Sequence, residues 1–444
     1  MPSRGSFFSR CSGNSFITMR NSYLILCSCG QTDMPETKYT SMGRKVEIVE
    51  HEGQFTLYRN GEPYYIKGAA GYEHYDRVQA YGGNSIRVWH ADNAQQILDE
   101  AHALGLTVSL GLWVARERDG FNYYDKKEVI RQVESLREVV LKFKDHPALL
   151  MWGVGNELYA ESSNVKVWDA VNLIAEMIHE VDPNHPTTTT VMNVPHKVID
   201  LIVEKAPALD VLSINSFAAM HNLHEELYKS SWKGPYIVSE FGPRGYWEAF
   251  TTEWLAPIEQ TSTEKAAYTL QRYKRAIEVD TIRCLGSYVF MWGNKQETTP
   301  TWFSMMSEQG EETESVHLVR KIWSGQEPVN AAPYIAPLML DNKYAEDNIY
   351  LEPGQPYVAK VNTFDHDGDS LQLHWEVLPE SEKKDGNSDK QVKPTPLPGL
   401  LNLAEAHKPT LTAPTKEGAY RLFVYVYDGK GNLATANVPF YVRK

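Results

Sequence analysis

Between Tyr65 and Met291 the chain alternates two hydrophobic patterns. Short runs of apolar and β-branched residues read as strands at Tyr65 to Gly68, Ser85 to Trp89, Thr107 to Leu112 and Leu149 to Val154, and again at Thr188 to Met192, Val211 to Ile214, Tyr236 to Ser239 and Gly286 to Met291. Longer stretches such as NAQQILDEAHALG, KKEVIRQVESLREVVLKFK, VKVWDAVNLIAEMIHEV and TEKAAYTLQRYKRAIEV place apolar residues at i, i+3, i+4 and i+7, the period of an amphipathic helix. Eight strand and helix repeats in about 250 residues predict a (β/α)8 TIM barrel, whose strands are covered on both faces. A doubly wound open sheet is the alternative, and the absence of a Gly-rich turn after the first strand counts against it.

The pattern differs on either side of this block. Ahead of it, VEIVEHEGQFTLYRNGEPYYIKGA carries Asn60-Gly61 between alternating runs, a hairpin signal. After LVRKIWSGQEPVNAAP, the prolines 328, 333, 337 and 353 punctuate a linker, and only strand-like alternation follows, with turns at Asp367-Gly368-Asp369 and Asp428-Gly429. This predicts a C-terminal all-β sandwich of the immunoglobulin type. The division is a leader and linker over 1–42, a barrel domain with its hairpin over 43–325, and the sandwich over 326–444.

Composition narrows the partners. The 444 residues carry a net charge of −13, which argues against a nucleic-acid backbone as ligand. With 11 Trp and 25 Tyr the chain is better suited to a neutral partner with apolar faces. No segment is long and apolar enough to span a bilayer. Three of the four cysteines fall in the first thirty residues, where MRNSYLILCSCGQTD has a basic start, a short apolar core and a small residue before Cys29. That is the layout of a bacterial lipoprotein signal. It predicts an exported protein held at the outer membrane or cell surface by a lipid on Cys29, or one free in the periplasm, with Met19 as the start. A plain N-terminal tail is the alternative.

In a barrel the site lies at the C-terminal strand ends, so the residues that close each run are informative. Strand two closes on Arg87, Val88, Trp89 and His90, strand four on Asn156 and Glu157, strand six on Asn215 and Ser216, strand seven on Glu240 and strand eight on Trp292. Two glutamates facing each other across a mouth are what glycoside hydrolysis needs, one to protonate the leaving oxygen and one to attack.

WGVGNELY and YIVSEFGP resemble the acid/base and nucleophile motifs of the clan of retaining β-glycosidases built on TIM barrels. NGEPYYIKGA and GGNSIRVWH are similar to the barrel of glycoside hydrolase family 2. The order of barrel then sandwich is most like glycoside hydrolase family 158, which implies endo-cleavage of β-1,3-glucan. The resemblance implies Glu157 as acid/base, Glu240 as nucleophile, Arg87 as the cation beside it, and Asn156 on the sugar 2-hydroxyl. Trp292 would stack on the sugar, with His90 and Asn215 in supporting contacts. In that clan a tyrosine ends strand six and holds the nucleophile. Here LSINSF places Phe217 there, and Tyr246 or Tyr288 is the candidate substitute.

The expected function is therefore a retaining endo-β-glucanase acting on an oligo- or polysaccharide without a cofactor. An exo-acting β-glycosidase of the family 2 type, a transglycosylase, and a glycan binder that has lost catalysis are the alternatives. His90 reads equally well as a structural histidine. Trp113, Tyr123, Tyr124, Tyr159, Trp247 and Trp302 could line an extended groove, about half of them as packing. DHDGD at Asp365 to Asp369 lacks the terminal Glu of a calcium loop and reads as an acidic turn. No Cys/His spacing suggests zinc, and Cys284 reads as core. The sandwich is expected to prop the barrel, since Trp375 and Tyr427 fit sandwich-core positions as well as exposed ones.

Overall fold

The computed structural model describes residues 45–160, 163–381 and 391–444. The lipoprotein-type leader with Cys27 and Cys29 lies outside the described residues, as does the middle of the polar stretch between Glu380 and Gly399. Among the described residues, no helix is long and apolar enough to cross a membrane.

The N-terminal segment forms β1 (Val46–His51), β2 (Gln54–Arg59) and β3 (Glu62–Pro63). Asn60 and Gly61 connect β2 to β3 with φ of 53° and 85°, the type I′ geometry that Asn-Gly favours. The longer pairing, β1 with β2, reverses one turn earlier at Glu52-Gly53.

Eight parallel strands then close into a barrel. They are β4 (Ile66–Gly71), β5 (Ser85–Val88), β6 (Thr107–Leu112), β7 (Leu149–Asn156), β8 (Thr187–Met192), β9 (Val211–Asn215), β10 (Tyr236–Phe241) and β11 (Cys284–Trp292). A helix follows each: α1 (Tyr75–Ala80), α2 (Ala94–Ala103), α3 (Lys126–Phe143), α4 (Lys166–Val181), α5 (His196–Lys205), α6 (Leu223–Lys229), α7 (Ser262–Ala276) and α8 (Glu314–Ser324). All eight expected strands are present. The outward side chains of Ile86, Val88, Val108, Leu110 and Leu212 bury against the helices in one core with Ile97, Val133, Val171 and Ile202. Cys284 belongs to this core, and burial pushes its thiol up to about 12.

The barrel interior is rich in hydroxyls. Ser85 meets Tyr288 Oη at 2.9 Å and accepts from Thr107 at 2.8 Å, and Thr188 meets Ser213 at 2.7 Å. These groups are buried and satisfy one another, so the interior avoids the cost of desolvated polar atoms.

Beyond the barrel lie β12 (Tyr334–Ile335), β13 (Met339–Leu340), β14 (Tyr350–Leu351), β15 (Pro356–Lys360), β16 (Thr363–Phe364), β17 (Gln372–Pro379), β18 (Leu401–Asn402), β19 (Thr410–Thr412), β20 (Gly418–Tyr427) and β21 (Leu433–Val442). Two four-stranded sheets, β13-β15-β19-β18 and β14-β21-β20-β17, contribute to one apolar core that includes Leu340, Leu411, Trp375, Val424 and Phe440. Of the two positions that fitted either setting, Trp375 is core. Tyr427 is not in that core and faces the barrel side of its sheet. Asp365 caps a turn, its Oδ1 accepting from the backbone N–H groups of Asp367 and Asp369.

The barrel and the second sheet are joined by a buried polar network. Glu259, between β10 and α7, accepts from Lys265 (2.5 Å), Thr299 (2.6 Å), Thr301 (2.8 Å) and Asn437 (2.7 Å), while Arg421 donates to Pro257 O (2.8 Å) and Glu380 (2.9 Å).

Candidate active site

A regular strand alternates its side chains, so neighbouring residues cannot both face the barrel mouth. Three irregularities at the C-terminal rim break that rule. On β7 the pairing passes from Gly153↔Thr188 to Asn156↔Thr190, three residues against two. On β10 it passes from Val238↔Ile214 to Glu240↔Asn215, two against one. On β11 it passes from Val289↔Ala69 to Trp292↔Gly71, again three against two. Bulges of this kind re-aim side chains and concentrate beside functional sites. The first lets Asn156 and Glu157 both join the mouth, and Glu157 completes the turn in a left-handed conformation with φ of 51°. Such a backbone costs a non-glycine residue about 1–2 kcal/mol and is retained where the surroundings hold it. The second brings Ser239 and Glu240 into the same network.

Arg87 is the hub. It is buried, and its guanidinium donates through Nη1 to Glu240 Oε1 (2.6 Å) and Ser239 O (3.1 Å), and through Nη2 to Asn156 Oδ1 (2.7 Å). Trp89 donates its indole N–H to the same oxygen, Glu240 Oε1, at 2.8 Å. Glu240 is buried, and its Oε2 receives no hydrogen bond from any described residue. One oxygen is therefore clamped by two donors and the other is left for a ligand.

Asn215 ties Glu157 to Asn156, which Arg87 holds together with Glu240. Its amide donates to Glu157 Oε1 at 2.7 Å and to Asn156 Oδ1 at 3.3 Å, while its own oxygen accepts from Ser239 at 2.8 Å. With Asn156 Oδ1 committed to two donors, the amide NH2 of Asn156 is the end that can serve a ligand. Tyr159 anchors the chain just beyond Glu157, donating to Met192 O (2.7 Å) and accepting from Met192 N–H (3.0 Å). Burial, with the charge of Glu157 added, pushes the Tyr159 phenol well above its ordinary range.

Of the other sequence candidates, His90 is half-buried on the rim, stacked on Tyr72 at 5.4 Å and 3.3 Å from Asp92. Tyr246 packs against Trp247 and Trp302 at the edge of the β10–α7 connection. Tyr288 lies deeper, bonded to Ser85, and Phe217 sits in an aromatic cluster with Trp247, Phe290 and Phe303. The second donor to Glu240 is the indole of Trp89. The expectation for Trp292 is corrected. It is 1% exposed, packs against Trp323 of α8 and donates to His74 O, so it offers no face at the mouth. The bulge on β11 turns it outward and leaves Phe290, edge-on to Trp89 at 5.9 Å, as the aromatic of that strand at the mouth. Trp113, Tyr124 and Trp247 are 46%, 69% and 43% exposed, whereas Tyr123 and Trp302 are buried packing.

Sequence reasoning missed Trp89, Ser239 and Phe290. A signal existed for the first, since Trp89 sits two residues after Arg87, on the same side of a strand end. Among the described residues, the grouping of carboxylates close enough for a metal ion is Asp365, Asp369 and Asp428, within 4.8 Å of one another in the C-terminal sheets.

Residues 73–246 match the family described as "Glycosyl hydrolases family 2, TIM barrel domain". The chain is 26% identical over 232 residues to a β-glucuronidase of Felis catus, covering 45% of this chain and 33% of the relative. It is 24% identical over 214 residues to a β-galactosidase of Thermoanaerobacter pseudethanolicus, covering 44% of this chain and 26% of the relative. It thus spans about a third of the length of the curated relatives it matches. The crystal structure of a GH2 β-galacturonidase from Eisenbergiella tayi bound to galacturonate superposes with a TM-score of 0.50 at 17% identity, over 63% of this chain and 54% of that one. The barrel is thus similar to that of glycoside hydrolase family 2.

Proposed function

We propose that the chain is a retaining β-glycoside hydrolase of the exo-acting, family 2 type, removing a terminal sugar by double displacement. The observation that carries this reading is the arrangement of Glu240, one oxygen held by Arg87 and Trp89 and the other open toward the mouth that Glu157 shares. In the first step Glu240 Oε2 attacks the anomeric carbon while Glu157 gives its proton to the departing glycosidic oxygen. In the second, Glu157 takes a proton from water, the water oxygen bonds to the same carbon, and Glu240 leaves as carboxylate. Asn156 NH2 serves the 2-hydroxyl, a contact that strengthens as the ring carbon becomes cationic. The relatives named β-glucuronidase and β-galactosidase support removal of a single sugar more than internal cleavage of a glucan.

A second reading, endo-cleavage of β-1,3-glucan, is favoured by the three exposed rim aromatics Trp113, Tyr124 and Trp247, which suit a longer substrate. Hydrolysis of a panel of aryl β-glycosides, including glucuronide and galactoside, beside laminarin with sizing of products separates the two. Monosaccharide release supports the exo reading, and early oligosaccharides from laminarin replace it with the endo one. Glu240→Gln should abolish turnover in either case, and retained activity would remove the nucleophile assignment. The same proposal takes the C-terminal sheets as an immunoglobulin-like domain beginning near residue 326, and Cys29 as the site of a lipid that holds the exported protein to a membrane.

A further inference from the structure

The sheet β14-β21-β20-β17 has two different faces. Trp375, Val424, Val426 and Ala436 point into the C-terminal core. The alternate residues turn toward the barrel. At one end of that face the surfaces are joined by the Glu259, Arg421 and Asn437 network. At the β20–β21 turn they are joined again, Leu433 N–H donating to Glu312 O and Glu312 N–H to Gly431 O, and between the two joins a cleft of about 220 Å³ opens between the sheet and the segment that follows β11.

Tyr425, Tyr427, His374 and Thr435 line the cleft from the sheet, facing Asn294 and Gln309 from the barrel segment. Strand register puts His374 opposite Tyr425 and Tyr425 opposite Thr435, so these side chains form one continuous patch. On the sheet face, Glu376 is buried, and its Oε1 accepts from Tyr425 Oη at 2.6 Å and pairs with Lys393 at 2.9 Å. Its Oε2 takes no hydrogen bond from any described residue. A carboxylate oxygen beside two tyrosine rings suits a ligand that has hydroxyl donors on its edges and C–H groups on its faces. The acids Glu308 and Glu376 outnumber Lys393 among the lining residues, which disfavours an anionic ligand, and Lys393 already neutralises the nearer acid.

The barrel segment also borders the mouth. Next to Asn294, Lys295 places its ammonium 5.3 Å from the Phe290 ring, and Phe290 packs on Trp89, the donor to Glu240. One loop is therefore both the wall of the cleft and part of the rim.

We propose that the cleft is a second carbohydrate-binding site, taking a neutral oligosaccharide whose far end lies at Glu240. The link to Glu240 rests on the glycosidase reading, while the chemistry of the cleft stands apart from it. The test is isothermal titration of neutral β-linked oligosaccharides, from disaccharide to hexasaccharide, into Glu240→Gln protein with and without Tyr427→Ala or the more exposed His374→Ala. Each cleft variant should weaken binding of the longer oligosaccharides about tenfold, or about 1.4 kcal/mol. In protein with Glu240 intact, each should leave kcat/KM on an aryl monoglycoside unchanged. Equal affinity in all three proteins, or no binding to any, overturns the proposal. Cleavage of glycosides with binding insensitive to both variants removes the cleft and keeps the enzyme. Binding sensitive to Tyr427 in a chain that cleaves nothing keeps the cleft and removes the enzyme.

Discussion

Replacing Trp89 by Phe tests the clamp on Glu240 and makes the two chemical steps respond differently. Phenylalanine keeps an aromatic ring beside Phe290 but removes the indole N–H that reaches Glu240 Oε1 at 2.8 Å. A hydrogen bond to a charged group is worth about 1.5–3 kcal/mol and one between neutral groups about 0.5–1.5. In the glycosyl-enzyme ester the carbonyl oxygen of Glu240 is neutral, and it regains charge as the ester breaks, so the bond strengthens during the second step. Only that difference, about 1–1.5 kcal/mol, changes the rate, which predicts a five- to tenfold slower deglycosylation, about one decade per 1.4 kcal/mol. In the first step charge leaves the same carboxylate, so the lost bond does not slow attack in that way. With a dinitrophenyl glycoside as substrate, kcat should fall, KM should fall with it, and a burst of released phenol should appear in stopped-flow traces. Two results would refute the reasoning: an unchanged kcat, or a parallel loss of kcat and kcat/KM with no burst. The melting temperature serves as control and should move little, since Arg87 and the surrounding packing are intact.

Glu157→Gln should cripple hydrolysis of substrates with poor leaving groups while leaving dinitrophenyl glycosides able to form the intermediate, read as a burst without turnover. Asp182 is buried and accepts from Trp152 Nε1 (2.8 Å), His185 Nδ1 (2.9 Å) and Asn184 N–H (3.1 Å); burial raises its carboxyl, and these partners outweigh burial and hold it below the ordinary 3.8. A depressed folded value means that the stability it contributes is whole above about pH 3.8 and is lost as the pH falls through the lower folded value. Denaturant melts at pH 7 and below pH 4 should therefore show Asp182→Asn less stable than wild type at neutral pH, with the gap closing in acid; a constant gap would contradict this. Lys265→Met removes the cation paired with the buried Glu259 carboxylate, leaving it only the field of Arg421, and should cost about 3 kcal/mol in urea melts. A loss below about 1 kcal/mol would show that the network between barrel and sheet is not held by that pair.

How far the site could be read from the chain depends on which physical rule fixes each residue. The eight strands were legible because their apolar faces are set by local alternation against helices whose own period is visible, as with Leu110 and Val133 in the shared core. Glu157 and Glu240 were legible because a charged residue that closes a buried run stands out, and Arg87 because a buried guanidinium needs an anion. Trp292 and Phe290 were exchanged for a different reason. Which of them faces the mouth depends on one extra residue in the pairing of β11 with β4, and their partners lie more than two hundred positions apart. No local pattern records such a bulge. The same holds for Trp89, whose indole reaches Glu240 from a strand more than a hundred and fifty positions away, while Phe217 packs among Trp247, Phe290 and Phe303. It holds again for Tyr427, which alternation alone allows in a core or on a face, and which becomes a cleft residue only because the sheet is tied to the barrel on either side of it, by Asn437 to Glu259 and by Leu433 to Glu312, with a gap left between. The chemistry was thus written in residue types at strand ends, while the support around it was written in pairings between distant segments.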